Sequence, residues 1–413
     1  TADMSALFRQ NIVATLSHPI TTFKQLPATL RATFSEFEAD RIMAQLRETK
    51  RAIRYDRAGL DVLESDSNAP GIREEWFQSR MIERVPVLGK VIRASERNMT
   101  VMGNLIRTSL FDDFLAAHPN ATLNEQRAYA DFLNKATGRG SLHVFGETAK
   151  YINHTFFAPK LAASRFQTPY TLVKYWQIPR VRKQIARDLA GFAGTGLTVL
   201  ALSALAGATV GTSPRDSDFG KIRIGDSRID LWGGFQQPAR LLTRIAMAAT
   251  DSAGITGREL TEDEKDIGVV ESIMRFLSFK VAPMITMPVE LIEGQTAVGE
   301  KTDASSTLLK SLAPMMYEDV YDAFEDGGWG KALGAGAASF VGLGVSTYED
   351  SETAVRRQIA KLIRDGKRAE ARSKAREWNR GIPAWNREHP DQKRRKIESI
   401  RTSDTGSPVS VAD

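Results

Sequence analysis

The chain has 413 residues, 56 Lys+Arg against 50 Asp+Glu, 42% apolar residues and no cysteine. With 26% charged residues it is neither a disordered tail nor an ordinary multi-span membrane protein, and it is long enough for a substantial buried core. The lack of cysteine excludes disulfide scaffolds, thiol catalysis and cysteine-ligated zinc or iron–sulfur sites. The first residue is Thr1 rather than Met, the pattern of a processed or excised piece. Thr1–Ser5 holds no charged-then-apolar leader, so no signal peptide is expected.

The first 187 residues read mostly as helices, a helical body over 1–187. Leu30, Phe34 and Phe37 recur at i, i+4 and i+7, which places them on one face of a helix. Gln45 to Asp56 is charged and helix-favouring. The run 66–71, from Asp66 to Gly71, reads as a loop. Glu74, Glu75 and Trp76 look like a helix start, with acids near the positive dipole end. Pro119-Asn120 breaks the chain again. Thr122-Leu123-Asn124-Glu125 and Thr261-Glu262-Asp263-Glu264 each fit a capping box, which predicts helix starts at about 123 and 262.

Leu189 to Gly211 is 23 residues without a charge, within an apolar helix expected over 188–213. A helix of about 20 apolar residues crosses a hydrocarbon core. The membrane-inserting candidates are Leu189, Phe192, Leu197, Val199, Leu200, Leu202, Leu205 and Val210. Gly207 and Gly211 have GxxxG spacing, and Ala190 and Gly194 small-xxx-small spacing, both suited to close helix packing. The other reading is a buried central helix of a large soluble bundle. A segment buried in one state and lipid-inserted in another satisfies both.

Lys221-Ile222-Arg223-Ile224 and Arg228-Ile229-Asp230-Leu231 alternate around Gly225-Asp226-Ser227, a hairpin within 214–236. Two strands alone are marginal, so the hairpin must pack on helices, pair with another strand or be shared between subunits. A second helical region is expected over 237–349. Within it Ala332 to Tyr348 is charge-poor but short and glycine-rich, which suits close packing or a mobile loop better than a membrane span.

The charge is concentrated at the end of the chain. Arg356 to Arg401 holds 16 Lys+Arg and 6 Asp+Glu, a net of +10, so the rest of the +6 chain carries −4. Residues 350–413 thus read as a basic helical tail. It is either a solvated helix or a surface for a polyanion. Arg372, Lys374, Arg376, Lys393, Arg394, Arg395 and Lys396 are the candidate DNA-binding residues. Trp378 and Trp385 interleave with them, either to contact a partner or to dock the tail on the body.

No catalytic motif is visible. The five histidines, His18, His118, His143, His154 and His389, have no metal-ligand spacing, and neither a phosphate loop nor a GxSxG elbow occurs. Glu74/Glu75 and Asp112/Asp113 are adjacent pairs that diverge on a helix. Asp216, Asp218, Asp226 and Asp230 surround the hairpin, where turn chemistry and pairing with Arg223 and Arg228 are expected ahead of a divalent ion. The expectation is a non-enzymatic chain with no cofactor. Its fold class is mainly α, an elongated multi-helix assembly with one small β-hairpin near 221–231.

Several strings resemble one family. They are Ala2-Asp3-Met4-Ser5-Ala6-Leu7-Phe8-Arg9-Gln10 with Ser17-His18-Pro19; Glu74-Glu75-Trp76-Phe77 with Ile82-Glu83-Arg84-Val85-Pro86; and Ala94-Ser95-Glu96-Arg97. Two longer ones follow: Asn153 through Arg165, and Asp218 through Arg223 with Arg228 through Gln236. Together they are similar to the phage and mobile-element large polyvalent protein C-terminal region, which overlaps the internal virion (ejection) proteins of tailed phages. The likeness covers about residues 1–240 and does not reach 350–413. It implies a protein packaged in the virion interior, near the portal, other virion proteins and DNA; the close-packing glycines and the hairpin, which both want partners, add the expectation of a homo-oligomer, as a ring. Delivered with the genome, it would meet the host membrane and end in the host cell envelope. The alternative it leaves is a DNA-associated accessory protein acting in the host cytoplasm.

Overall fold

The structure, a computed structural model, describes residues 6–62, 86–142, 159–212, 218–225, 227–240, 343–347, 351–388, 393–401 and 408–411. The sequence readings at 66–71, Glu74–Trp76, Thr261–Glu264 and most of Ala332–Tyr348 lie outside them. Of the described residues 71% are helical, so the fold is mainly α with a small sheet. The chain divides into two compact units, Thr1–Ile224 with Arg228–Ser346, and Thr347–Asp413 with Gly225–Ser227.

The first unit opens with a π-helical turn, Ala6–Gln10, and five short helices: α1 (Ile12–Ser17), α2 (Pro19–Lys24), α3 (Leu26–Phe34), α4 (Glu36–Leu46) and α5 (Thr49–Ala58). Four longer ones follow: α6 (Pro86–Ala117), α7 (Leu123–Ala136), α8 (Pro159–Lys174) and α9 (Pro179–Leu205). Helix α1 is the centre of the packing. Ile12, Val13, Ala14, Thr15 and Leu16 are all buried, as befits a helix apolar all round. It lies so close to α9 that a Cβ on Gly191 would stand 3.2 Å from the Ser17 Cα. Around it Ile106, Phe111, Tyr129, Phe132, Leu133 and Ile185 are almost wholly buried. Each such side chain contributes about 1.5–3 kcal/mol of apolar burial.

The core also encloses polar groups. Asp188 is 2% exposed and accepts hydrogen bonds from the Tyr129 hydroxyl at 3.0 Å and Gln184 Nε2 at 2.8 Å, with His18 Nε2 at 2.9 Å. Arg107, 1% exposed, donates to Thr137 Oγ1 and Asn104 Oδ1, while its Nε has no acceptor. Burial pulls this guanidinium down to about 10, with Asp61 opposing the shift.

Two sequence readings meet different outcomes here. The capping box at Thr122–Glu125 is formed in both directions, and α7 starts at Leu123. The stripe Leu30, Phe34 and Phe37 does not enter the core. Ser35 adopts an extended conformation and caps α4 through its hydroxyl, breaking the helix between Phe34 and Phe37. Phe34 and Phe37 are then more than two-thirds exposed, and Thr29, Ala32, Thr33, Ala39, Ile42 and Met43 fill the interior instead.

The hairpin forms as β2 (Ile222–Ile224) and β3 (Ser227–Asp230), with Gly225 at φ +61° in the turn. It is not isolated. The strands β1 (Thr209–Val210) and β4 (Gly344–Thr347) complete a four-stranded sheet in the order β1-β2-β3-β4. Its apolar face, Ile222 and Leu231, packs on Leu200 of α9. β4 also places part of Ala332–Tyr348 in a sheet, where the sequence suggested helix packing or a loop.

The second unit holds α10 (Ser351–Arg364), α11 (Arg368–Glu388) and a hairpin of β5 (Ser399–Arg401) with β6 (Pro408–Ser410). It has its own core of Ile359, Ile363, Ala371, Ala375, Ile397, Ile400 and Val411. The expected helical tail is therefore a folded α+β unit. The missed signal is the alternation of Val409 and Val411 about Ser410, with Ile397 and Ile400 as isolated β-branched residues among polar neighbours.

Candidate functional site: an apolar helix with its groove, and a basic unit

Helix α9 changes character along its length. Its first half turns Val181, Ile185, Asp188 and Phe192 inward. The helix as a whole is long enough, and over an 18-residue window apolar enough, to cross a membrane, yet only 22% of that window is buried. Of the proposed inserting residues, Phe192 and Leu200 are buried, and Leu189 and Val210 are half-buried against the first unit's apolar clusters. Leu197, Val199, Leu202 and Leu205 face water, Leu205 at 85% exposure.

The helix also stops earlier than its composition suggests. Gly207 takes φ +92°, the Ala208 N–H bonds the Ser203 carbonyl at 3.0 Å, and the Gly207 N–H bonds the Ala204 carbonyl at 3.0 Å. That is a Schellman stop, which needs a residue free of Cβ strain at this position. Val210 consequently lies in β1, beyond the helix. Gly207 and Gly211 do not share a helix face as the GxxxG spacing suggested. Gly211 crosses the chain at Asp218, whose carbonyl oxygen would stand 1.9 Å from a Cβ there. The close approaches on α9 are at Gly191, against Ser17, and Gly196, against the Trp232 ring. Around Gly194, of the Ala190/Gly194 pair, a Cβ would meet nothing within 4 Å.

Beside this half of α9 runs a groove of about 830 Å³. One wall is α9 from Phe192 to Ala204; the others come from α8, from Val210–Thr212 with Phe219 and Gly220, and from the segment Trp232–Ala239. Three strings far apart in sequence meet at its Phe192 end. Arg165 donates through Nη2 to the Arg9 carbonyl, and its Cζ lies 4.6 Å from the Phe235 ring centroid. Gly233 packs on the Phe8 carbonyl, and Phe235 and Trp232 enclose Phe192 at 5.1 and 5.6 Å between centroids. Arg165 is 3% exposed, and its Nε and Nη1 hydrogen-bond nothing. Burial pulls it down to about 9, with Asp230 opposing the shift. Asp230 is itself pushed up by burial; it accepts the Trp232 N–H at 2.8 Å. The sequence reading missed Arg165 as a site residue. Its only signal was an arginine within the Asn153–Arg165 string.

Around the hairpin, Asp218 pairs with Arg228 at 3.3 Å, as the charge pattern suggested. Asp216 and Asp226 lie outside the described residues, among which no group of three or more His, Asp or Glu is placed to hold a metal ion.

In the second unit, Arg372, Arg376, Lys393, Arg395 and Lys396 are exposed, and Lys374 is half-buried. Arg394 plays another part. Its Cζ lies 4.7 Å from the Trp378 ring centroid, and its backbone is held by Asn386 in both directions, at 2.7 and 3.1 Å. Asn379 does the same for Ile397, at 2.8 and 3.0 Å. Two asparagines seven residues apart on α11 thus fix the extended run Lys393–Ile397 along the helix. Asparagine is a poor helix former, and its presence twice on one face was the readable signal.

No protein-family model matches the chain, and the comparisons with curated proteins and with solved structures found no significant match.

Proposed function

We propose that this chain is an internal virion, or ejection, protein of a tailed phage, packaged near the portal and DNA and helping the genome cross the host envelope. The observation that carries this reading is the unburied apolar half of α9. Leu197, Val199, Leu202 and Leu205 hold surface that water disfavours. Such surface is covered by neighbouring copies in a packed assembly and by lipid when released. The resemblance of residues 1–240 to internal virion proteins supports the setting. The test has two arms. Mass spectrometry of purified particles finds the chain inside the virion, and flotation of the intact protein with phosphatidylcholine/phosphatidylglycerol vesicles depends on α9. A well-folded chain that neither enters particles nor floats overturns the proposal.

The second reading is a DNA-associated accessory protein acting in the host cytoplasm. The exposed Arg372, Arg376, Lys393, Arg395 and Lys396 on a folded unit favour it. Tight, steeply salt-dependent DNA binding by a chain absent from particles would select it over the first.

A further inference from the structure

We propose that the groove beside α9 binds a single-chain amphiphile with an anionic head, the acyl chain lying along α9 and the head meeting Arg165. The walls are apolar over most of their extent, and among the described lining residues Arg165 carries the one charged side chain. At about 830 Å³ the groove falls within the range of small-molecule sites. From Phe192 to Ala204 it follows about 18 Å of helix, at 1.5 Å per residue. That is a shape for an extended chain rather than for a compact ring.

The head group is set by Arg165. A guanidinium offers five N–H donors and is normally fully paired when buried. Here Nη2 serves the Arg9 carbonyl, and Nε and Nη1 serve nothing. Asp230 is near enough to influence the charge but makes no ion pair with it, its Oδ1 being engaged by the Trp232 amide. The Gly234 backbone lies beside Nε, which is 3.6 Å from the point where a side chain would begin there. A carboxylate or phosphate at this end of the groove would supply an acceptor for one of these N–H groups, together with the remaining Nη2 hydrogen on the same edge of the guanidinium. Toward Ala204 and Val210 the lining is apolar, and Ala204 is exposed. The site does not rest on the delivery reading, and its test uses no bilayer.

The test is isothermal titration of the full chain with dodecanoate, dodecyl phosphate and dodecanol, each below its aggregation threshold. Dodecanoate or dodecyl phosphate is expected to bind at least about tenfold more tightly than dodecanol, the size a charge-assisted hydrogen bond carries. Whichever anion binds more tightly identifies a free fatty acid or a phosphate head as the source. Ala201→Trp, on the exposed groove wall, is expected to abolish binding without unfolding the chain. Arg165→Gln is expected to remove the preference for the anions. Dodecanol binding as well as dodecanoate, undiminished binding to Ala201→Trp, or no binding by any of the three overturns the proposal.

Discussion

The face of α9 turned away from the groove offers a test with a calculable size. Val199, Leu202 and Leu205 are 38%, 59% and 85% exposed and do not line the groove. Their combined exposed surface is that of nearly two whole side chains. Transferring it to lipid is worth about 3–5 kcal/mol at about 1.5–3 kcal/mol per full side chain. Changing all three to glutamine, which keeps good helix propensity, should weaken partitioning into vesicles by about a hundredfold to a few thousandfold. The same changes should move the urea unfolding free energy by no more than about 0.5 kcal/mol, because these side chains touch water already. Vesicle flotation and urea titration of the two proteins measure both quantities. A triple variant that partitions like the parent would refute the membrane role of this face. A variant that unfolds easily would refute its exposure.

Three further outcomes follow from the interior and the second unit. Asp188→Ala strands the Tyr129 hydroxyl and the Gln184 amide and removes the partner of His18; it should cost about 3 kcal/mol in urea unfolding, and a loss under 1 kcal/mol would deny that the carboxylate organises this contact. Burial raises Tyr55 and Tyr129, and pushes Tyr175 up to about 12. Their contribution to stability is therefore full below about pH 10, the unfolded value, and is lost as pH climbs through the folded values. In an alkaline absorbance titration, these three of the eight tyrosines should lag behind, and one transition near pH 10 for all eight would contradict the packing. Neutralising Lys393, Arg395 and Lys396 together should reduce the salt slope of DNA binding by up to about 2.7 with little change in stability, whereas Arg394→Ala, which uncovers Trp378, should destabilise the unit. An unchanged slope would remove these residues from the DNA surface.

How much of this was readable from residues alone varies with the range of the interaction. The Thr122–Glu125 cap and the β2–β3 turn are local, since a few consecutive residues hold all the groups involved, and both were legible. The Leu30–Phe34–Phe37 stripe misled because periodicity assumes an unbroken helix, and Ser35 offers its hydroxyl to a new one. The apolar run was legible as a candidate, but its end was not. Composition sees Gly207 as a small residue, while its backbone acts as a stop. Arg165 and the groove were out of reach for a different reason. They depend on Arg9, Phe192 and Phe235 converging from separate parts of the chain, and no local pattern encodes that meeting.

The Schellman stop has a mechanical corollary. Only Ala206, Gly207 and Ala208 separate α9 from β1, and all three are bound into the turn that joins them. There is no slack in such a splice. Any withdrawal of the helix must tug on the first strand of the sheet, so releasing one loosens the other, and a crosslink that clamps β1 to β2 should hold the helix in place.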